Sequence, residues 1–178
     1  FPLDSLMLHG IIYARKAQGL NTDPHDDFAD EVRSYFATGT GLQEMYISPD
    51  LLTARNWDDL AAAAKWARAN AATLRDTHWI GGDPARRQVY GWASWRPGHA
   101  IVSLRNPSDQ PQEFALDVER ALELPQDAAK DWIATPVYRK DAPLALHAGQ
   151  GAPVTLQPFE VRVWALVPDA TQSGQTRR

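Results

Sequence analysis

The spacing of hydrophobic residues along the chain changes near residue 76. Before that point, apolar residues recur every three or four positions, and between residues 57 and 74 they are Trp57, Leu60, Ala61, Ala64, Ala67, Ala71 and Leu74. This spacing predicts an amphipathic helix with one apolar side. Most of these side chains are alanine, so the helix can lie close to a neighbour. Either Thr53 or Asn56 can supply its N-cap.

A second helix is predicted from about Pro24 or Asp26 to Thr38, with Asp23 as its N-cap and glycines after its last turn. Its apolar side consists of Phe28, Val32, Tyr35 and Phe36. The acidic residues at its start are interpreted as capping residues whose negative charge interacts favourably with the helix dipole. A calcium-binding loop is the less favoured interpretation, because the segment lacks the alternation and central glycine of such a loop.

The segments around these helices are shorter. Residues 42–48 are partly alternating and bounded by helix breakers, which predicts a strand. The first dozen residues fit either a strand that ends near His9 and Gly10 or a helix over residues 5–18, and a strand into Met7 with a helix from Ile11 is a further alternative. A helix, strand, helix order is typical of a slice of an α/β fold.

From residue 77 to 169 the apolar residues occur in short alternating runs separated by turn formers. The candidate strands are Gln88–Arg96, Ala100–Arg105, Gln112–Val118, Trp132–Tyr138, Pro143–Leu146, Pro153–Leu156 and Phe159–Val167. This pattern indicates an antiparallel sandwich or barrel. We therefore predict an α+β chain: a helix-rich α/β segment over 1–76, an antiparallel β-sandwich over 77–169 and a disordered tail over 170–178.

Composition excludes several classes of protein. The chain has 178 residues and no cysteine, so disulfide frameworks and cysteine-based metal sites are excluded. The 22 acidic residues outnumber the 18 basic ones, which argues against nucleic acid as a partner. The longest early apolar run is far shorter than the roughly 20 residues of a membrane span, so no membrane partner is predicted. A chain that starts mid-pattern at Phe1, without Met or a basic leader, is expected to be a piece of something larger.

No complete catalytic or metal-binding pattern is visible. The five histidines, at positions 9, 25, 78, 99 and 147, lack the spacing of metal ligands, and we predict no metal and no cofactor. His9 is the candidate functional histidine, because with Gly10 it is expected where a strand gives way to a loop. A structural histidine bonded to the backbone is the alternative. Asp50 follows the next predicted strand, but neither it nor Glu44 is paired with the second carboxylate that glycoside hydrolysis needs.

Two of the seven tryptophans form an informative pair. Trp92 and Trp95 are three positions apart on one predicted strand, so they point to opposite faces. One indole is then expected in the core and the other on the outer face. An exposed indole is a common platform for a sugar ring, and a plug against a neighbouring domain is the alternative.

Several segments together resemble the carboxy-terminal third of bacterial glycoside hydrolases of the α-galactosidase-like superfamily. They are Phe1 to Gly10, Leu42 to Ile47, Asp76 to Pro84, Tyr90 to Trp95, Leu104 to Pro107 and Leu156 to Val161. The resemblance covers nearly the whole chain, to about Asp169. It implies a (β/α)₈ catalytic barrel followed by an antiparallel sandwich, with residues 1–76 as the last strand–helix units of that barrel.

The same resemblance implies the function. The two catalytic aspartates of this family lie on middle barrel strands, which would precede Phe1, so no catalytic residue is assigned here. We expect an inactive carboxy-terminal fragment of an α-glycosidase, whose sandwich braces the barrel. His9 and Asp50, with Trp92 and Trp95, are the candidate substrate-binding residues, and the substrate of the intact enzyme would be an oligosaccharide or glycoside.

Two further expectations follow from the resemblance. An incomplete barrel leaves open strand edges, so the fragment is expected to form a homo-oligomer or to repack its first 76 residues on the sandwich. A bacterial enzyme of this kind would be periplasmic or secreted rather than cytoplasmic, although a chain without cysteine fits either compartment. The alternative function is a non-catalytic carbohydrate-binding module or an interaction domain.

Overall fold

The computed structural model describes residues 3–23 and 27–170. The predicted helix start at Pro24 or Asp26, the histidine at position 25 and the predicted tail beyond Ala170 lie outside the described residues.

Within the described part, the chain forms ten strands and four α-helices. The strands are β1 (Met7–Tyr13), β2 (Leu42–Ile47), β3 (Thr77–Gly81), β4 (Tyr90–Arg96), β5 (His99–Arg105), β6 (Gln112–Leu116), β7 (Asp131–Pro136), β8 (Leu144–His147), β9 (Ala152–Leu156) and β10 (Val161–Pro168). The helices are α1 (Phe28–Phe36), α2 (Ala54–Ala69), α3 (Ala71–Leu74) and α4 (Val118–Ala121). None of the helices described is long and apolar enough to cross a membrane.

The first part of the chain is a β–α–β–α unit. Strands β1 and β2 run parallel, with a register that goes from Met7 opposite Leu42 to Tyr13 opposite Ile47. Helix α1 connects them, and α1 and α2 pack together on one side of the pair. The core between helices and strands consists of Ile11, Phe28, Val32, Tyr35, Phe36, Leu60 and Ala63. All four apolar residues predicted for the second helix lie in this core.

The expectation that the first strand ends near His9 and Gly10 is wrong, and so is the alternative of a helix. Strand β1 continues to Tyr13, with a bulge at Ile11, whose φ is 50°. Gly10 does not end the strand because its role is steric: a Cβ there would meet the ring of Tyr35 at 2.5 Å. The glycine lets helix α1 approach the strand.

Hydrogen bonds from side chains to the backbone set the limits of helix α2. Thr53 is the N-cap of α2, its hydroxyl oxygen accepting the N–H of Asn56 at 3.2 Å. The long helix predicted to reach Leu74 is interrupted at Asn70, whose side chain donates to the carbonyl of Trp66 at 2.9 Å. This bond competes with the helical backbone pattern and separates α2 from α3.

The second part is a two-layer β structure, which confirms the predicted sandwich-like half of an α+β fold. Six antiparallel strands follow the order β3-β4-β5-β10-β7-β8, and β6 pairs with β9 in a second sheet. The two sheets and α4 enclose the larger core, in which the bulkiest wholly buried residues are Trp132, Trp164, Leu104, Leu116, Leu156 and Leu166.

Two elements of this half were not predicted. Strand β3 was missed because only Thr77 and Ile80 of its five residues are buried, which is too few to show alternation. The predicted strand over Gln112–Val118 instead ends at Leu116 and turns into α4. The cause is Asp117, whose Oδ1 accepts the N–H of Glu119 at 3.0 Å and so caps the new helix.

The opposite face of the large sheet carries the helices. A second apolar cluster, made by Ala37, Leu74, Ile101, Val161 and Val163, joins α1 and α3 to strands β5 and β10. Trp66 of α2 packs edge-on against Tyr138, with ring centroids 5.8 Å apart. The central strands of the sheet are therefore covered on both faces.

Candidate functional site

One side of the parallel pair β1–β2 has no covering element in the part of the chain that the structure describes. We call it the open face; the register places Met7, His9, Ile12, Leu42, Glu44 and Tyr46 on it. Four of these residues are large hydrophobic or aromatic side chains that are 43% to 60% exposed. Parallel strands are normally buried on both sides, so this apolar surface indicates a missing layer.

A polar cluster lies in the middle of the open face. The Nδ1 of His9 is 2.9 Å from Oε2 of Glu44, the residue directly opposite on β2. The hydroxyl of Tyr46 is 3.3 Å from the same nitrogen, and the two rings are stacked with centroids 5.9 Å apart. Imidazole, carboxylate and phenol are thus within hydrogen-bond distance and remain about half exposed. Such a set can bind hydroxyl groups or exchange a proton.

Asp50 lies elsewhere, beyond the carboxyl ends of both strands. Its carboxylate forms an ion pair with Arg15, which follows β1. The N–H of Arg15 donates to Oγ of Ser48 at 3.2 Å, and the N–H of Ser48 donates to the carbonyl of Tyr13 at 2.9 Å. The structure therefore brings Asp50 together with Arg15 rather than with His9, which lies four residues before the end of β1.

A third feature is a cavity of about 310 Å³ beside the start of α1. It is lined by residues of β1 together with Asp23, Asp27 and Phe28. Burial and a side-chain hydrogen bond with Asp23 raise the pKa of Asp27 above its ordinary value. Asp23 also accepts the N–H of Asp27 at 2.9 Å, so it bonds just ahead of the helix instead of capping its first turn. Among the described residues, no group of three or more carboxylate or histidine side chains is arranged to hold a metal ion.

The paired tryptophans have different surroundings, as their spacing predicted. Trp95 is half-buried against the larger core, and its indole N–H has no hydrogen-bond partner in the described structure. Trp92 is on the other face, edge-on to Trp79, with centroids 5.0 Å apart. Sequence reasoning missed Trp79, which is 43% exposed on strand β3. In a strand over Thr77–Gly81, Trp79 points to the opposite face from His78 and Ile80. Five residues are too few for this alternation to be recognised in the sequence.

A polar clamp connects helix α1 to the large sheet. Oδ2 of Asp30 accepts the N–H of Val161 at 3.1 Å, and Glu31 forms an ion pair with Arg105 of β5. Arg139 lies 3.0 Å from the buried carboxylate of Glu160. The two contacts of α1 link residues that are more than 70 positions apart. All three contacts bond charged groups that would otherwise be costly to bury.

No family model and no curated protein sequence matches the chain. Solved structures are similar to it in fold. A protein proposed to be an α-N-acetylgalactosaminidase, from Bacillus halodurans, gives a TM-score of 0.60 at 16% identity, over 92% of this chain and 38% of that one. The α-amylase of Geobacillus thermoleovorans, solved with acarbose, gives 0.58 at 15% identity, over 92% of this chain and 39% of that one.

A third similar structure is α-galactosidase I of Mortierella vinacea, with a TM-score of 0.57 at 12% identity, over 88% of this chain and 38% of that one. This chain spans less than two fifths of the length of these structures. Identities this low establish a likeness of fold alone. The fold of this chain is thus similar to that of part of these α-galactosidase- and α-amylase-type structures, as the resemblance to the α-galactosidase-like superfamily predicted.

Proposed function

We propose that this chain is the carboxy-terminal part of a glycosidase, in which the residues before about position 76 complete a (β/α)₈ barrel and the β-sandwich braces it. The observation that carries the proposal is the open face: two parallel strands with helices on one side and exposed apolar residues on the other. In a closed barrel the strands have neighbours at both edges and this face points into the packed interior.

The clamp and the apolar cluster around Val161 support the bracing role. They hold α1 against strands β5 and β10, which belong to the centre of the large sheet. A helix of the outer barrel ring fixed in this way cannot tilt without breaking charge-assisted hydrogen bonds. The sandwich therefore stabilises the strand–helix unit of β1 and α1 in the position that barrel closure requires.

His9 and Asp50 are proposed to lie on the substrate side of the intact enzyme. Asp50 follows β2 at the carboxyl ends of the strands, where barrel enzymes bind their substrates. His9 lies deeper on the open face, beside Glu44. Both positions suit hydrogen bonds to the hydroxyl groups of an oligosaccharide or glycoside. Trp92 and Trp95 remain candidates for stacking, and self-association through the open face remains a prediction.

The proposal predicts that the isolated chain does not hydrolyse glycosides. Glu44 on the open face is paired with His9, and Asp50 at the strand ends is paired with Arg15. Neither forms a contact with a second carboxylate among the described residues. Incubation with 4-nitrophenyl α-galactoside and 4-nitrophenyl α-glucoside is expected to release nitrophenol at the buffer rate. Turnover above that rate, abolished by Glu44→Gln or Asp50→Asn, would show that this chain holds a catalytic pair.

Bracing also predicts an energetic coupling between Glu31 and Arg105. A double-mutant cycle with Glu31→Gln and Arg105→Met is expected to give a coupling of about 1 kcal/mol, because this pair is partly buried and hydrogen-bonded. The matched control is the ion pair of Arg87 with Asp109, 3.3 Å apart and more than half exposed, whose coupling should be close to zero. Urea denaturation measures both cycles. Equal coupling in the two pairs would contradict the bracing role of the clamp.

A further inference from the structure

A cavity of about 280 Å³ lies at the end of the sandwich where β4 turns into β5. Its walls come from that turn, from the loop between α4 and β7, and from the end of β10. We call it the end cavity; two tryptophans and three prolines form most of its walls, namely Trp95, Trp132, Pro97, Pro125 and Pro168. None of these residues belongs to the open face, so the end cavity is a separate feature of the sandwich.

The walls of the end cavity are held in place by the protein itself. Trp132 is only 1% exposed, and its indole N–H donates to the carbonyl of Ala129 at 2.9 Å. The N–H of Ala128 donates to the carbonyl of Pro125 at 3.0 Å, which closes a turn in the same loop. Proline rings add stiffness because they fix the backbone φ angle. A cavity formed in advance loses less entropy when a ligand binds.

Two polar groups at the end cavity have unused hydrogen-bonding capacity. The indole N–H of Trp95 is buried and has no hydrogen-bond partner in the described part of the chain. A buried donor without an acceptor is costly, so a partner for it stabilises the structure. Asp127 is the charged residue that lines the end cavity; it is exposed and forms no ion pair with any described residue. The cavity therefore combines one unused donor, one unused carboxylate and apolar walls.

We propose that the end cavity binds a single neutral sugar unit; the choice of a sugar among neutral hydroxylated ligands rests on the proposed function. Sugar hydroxyl groups both accept and donate hydrogen bonds, so they can accept from the Trp95 N–H and donate to the Asp127 carboxylate. The C–H face of the ring suits the indole and proline walls. The cavity volume lies just below the range of sites for drug-sized ligands, which suits one terminal sugar unit.

The two polar groups favour a neutral ligand over a charged or purely apolar one. An organic cation could pair with Asp127, but it would leave the Trp95 N–H without an acceptor. An anion could accept from Trp95, but the Asp127 carboxylate would repel it. A hydrocarbon would leave both groups without partners, at a cost in desolvation. Only a ligand that carries donors and acceptors together satisfies both groups.

The test is titration of the 178-residue chain with methyl α-galactoside and, separately, with methyl α-glucoside, followed by the indole N–H signals in NMR spectra. The Trp95 signal is expected to shift with at least one of these sugars, with a Kd in the millimolar range. Asp127→Asn should weaken binding about tenfold, because a charge-assisted hydrogen bond is lost. Asp58→Asn is the matched control, because Asp58 is an exposed carboxylate on α2, and it should leave the Kd unchanged.

Trp95→Phe is a second variant, which keeps an aromatic ring but removes the N–H donor, and it should weaken binding about threefold or more. Its control is Trp57→Phe, because Trp57 is 44% exposed on α2. Asp127 lies in an exposed loop, so its variant tests the site even if Trp95→Phe does not fold.

Three results would overturn the site. They are no shift of the Trp95 signal with either sugar, equal losses of affinity in the Asp127 and Asp58 variants, and a Trp95 shift with tetramethylammonium but with neither sugar, which would identify a cation site. Turnover of glycosides by the chain would contradict the proposed function but leave the Trp95 result standing, so the two failures are distinguishable.

Discussion

Replacement of Gly91 by alanine is expected to destabilise the chain by at least about 3 kcal/mol, because the added methyl group has no space. A Cβ at this position would lie 1.8 Å from the carbonyl oxygen of Ser103 and 3.0 Å from Cα of Leu104. Both atoms belong to the backbone of strand β5, which pairs with β4 in the centre of the sheet. Only a displacement of one strand from the other can relieve the contact, and that breaks hydrogen bonds and core packing on both faces.

Urea denaturation followed by tryptophan fluorescence measures this effect. The control is Gly151→Ala, where the nearest atom to the new Cβ is a side-chain carbon of Ala115 at 3.2 Å and φ is not positive. That change is expected to alter the free energy of unfolding by less than about 1 kcal/mol. A Gly91→Ala chain as stable as the control would mean that β4 and β5 are not packed as described.

Substitution of Asn106 by alanine is the second large effect, at about 3 kcal/mol, because it leaves several buried backbone groups without partners. The Asn106 side chain is wholly buried. Its Nδ2 donates to the carbonyls of Gln110 at 2.8 Å and Gln157 at 2.9 Å, and its Oδ1 accepts the N–H of Ser108 at 3.0 Å. One amide thus ties the turn after β5 to the turn before β10.

The comparison variant is Ser108→Ala in the same turn. The Ser108 hydroxyl accepts one N–H bond, from Gln110 at 3.1 Å, so its loss should cost about 1 kcal/mol. Thermal unfolding monitored by circular dichroism distinguishes the two variants. If both melt at the same temperature, the buried amide does not hold the two turns together.

Much of the fold could be predicted from residue spacing. The change of period near residue 76 separates the parallel unit from the antiparallel sheets, and Thr53 marks the start of α2 correctly. The predictions failed where the contacts of a single residue override the spacing of hydrophobic residues. Gly10 looked like a strand end but serves close packing with Tyr35, and Asp117 converts the end of a predicted strand into a helix.

The candidate site was predictable only in part. His9 and Asp50 could be named, since they adjoin apolar runs of strand length. Their partners could not, because the pairing of His9 with Glu44 depends on the register of β1 and β2. Sequence spacing carries no information on that register, which is decided by how helix α1 packs across the pair.

The sequence by itself determined most of the stretches that form helices and strands, because local periodicity and capping residues act over a few positions. It also carried the resemblance to glycoside hydrolases, and solved structures of such proteins are similar to this chain in fold. Only the tertiary structure decided that one face of β1–β2 is left open, that Glu31 meets Arg105, and that Trp79 stacks on Tyr90 at a sheet edge. Those facts depend on contacts between distant parts of the chain. Such contacts form only when the fold buries apolar surface, pairs its strands and pairs its buried charges at the same time.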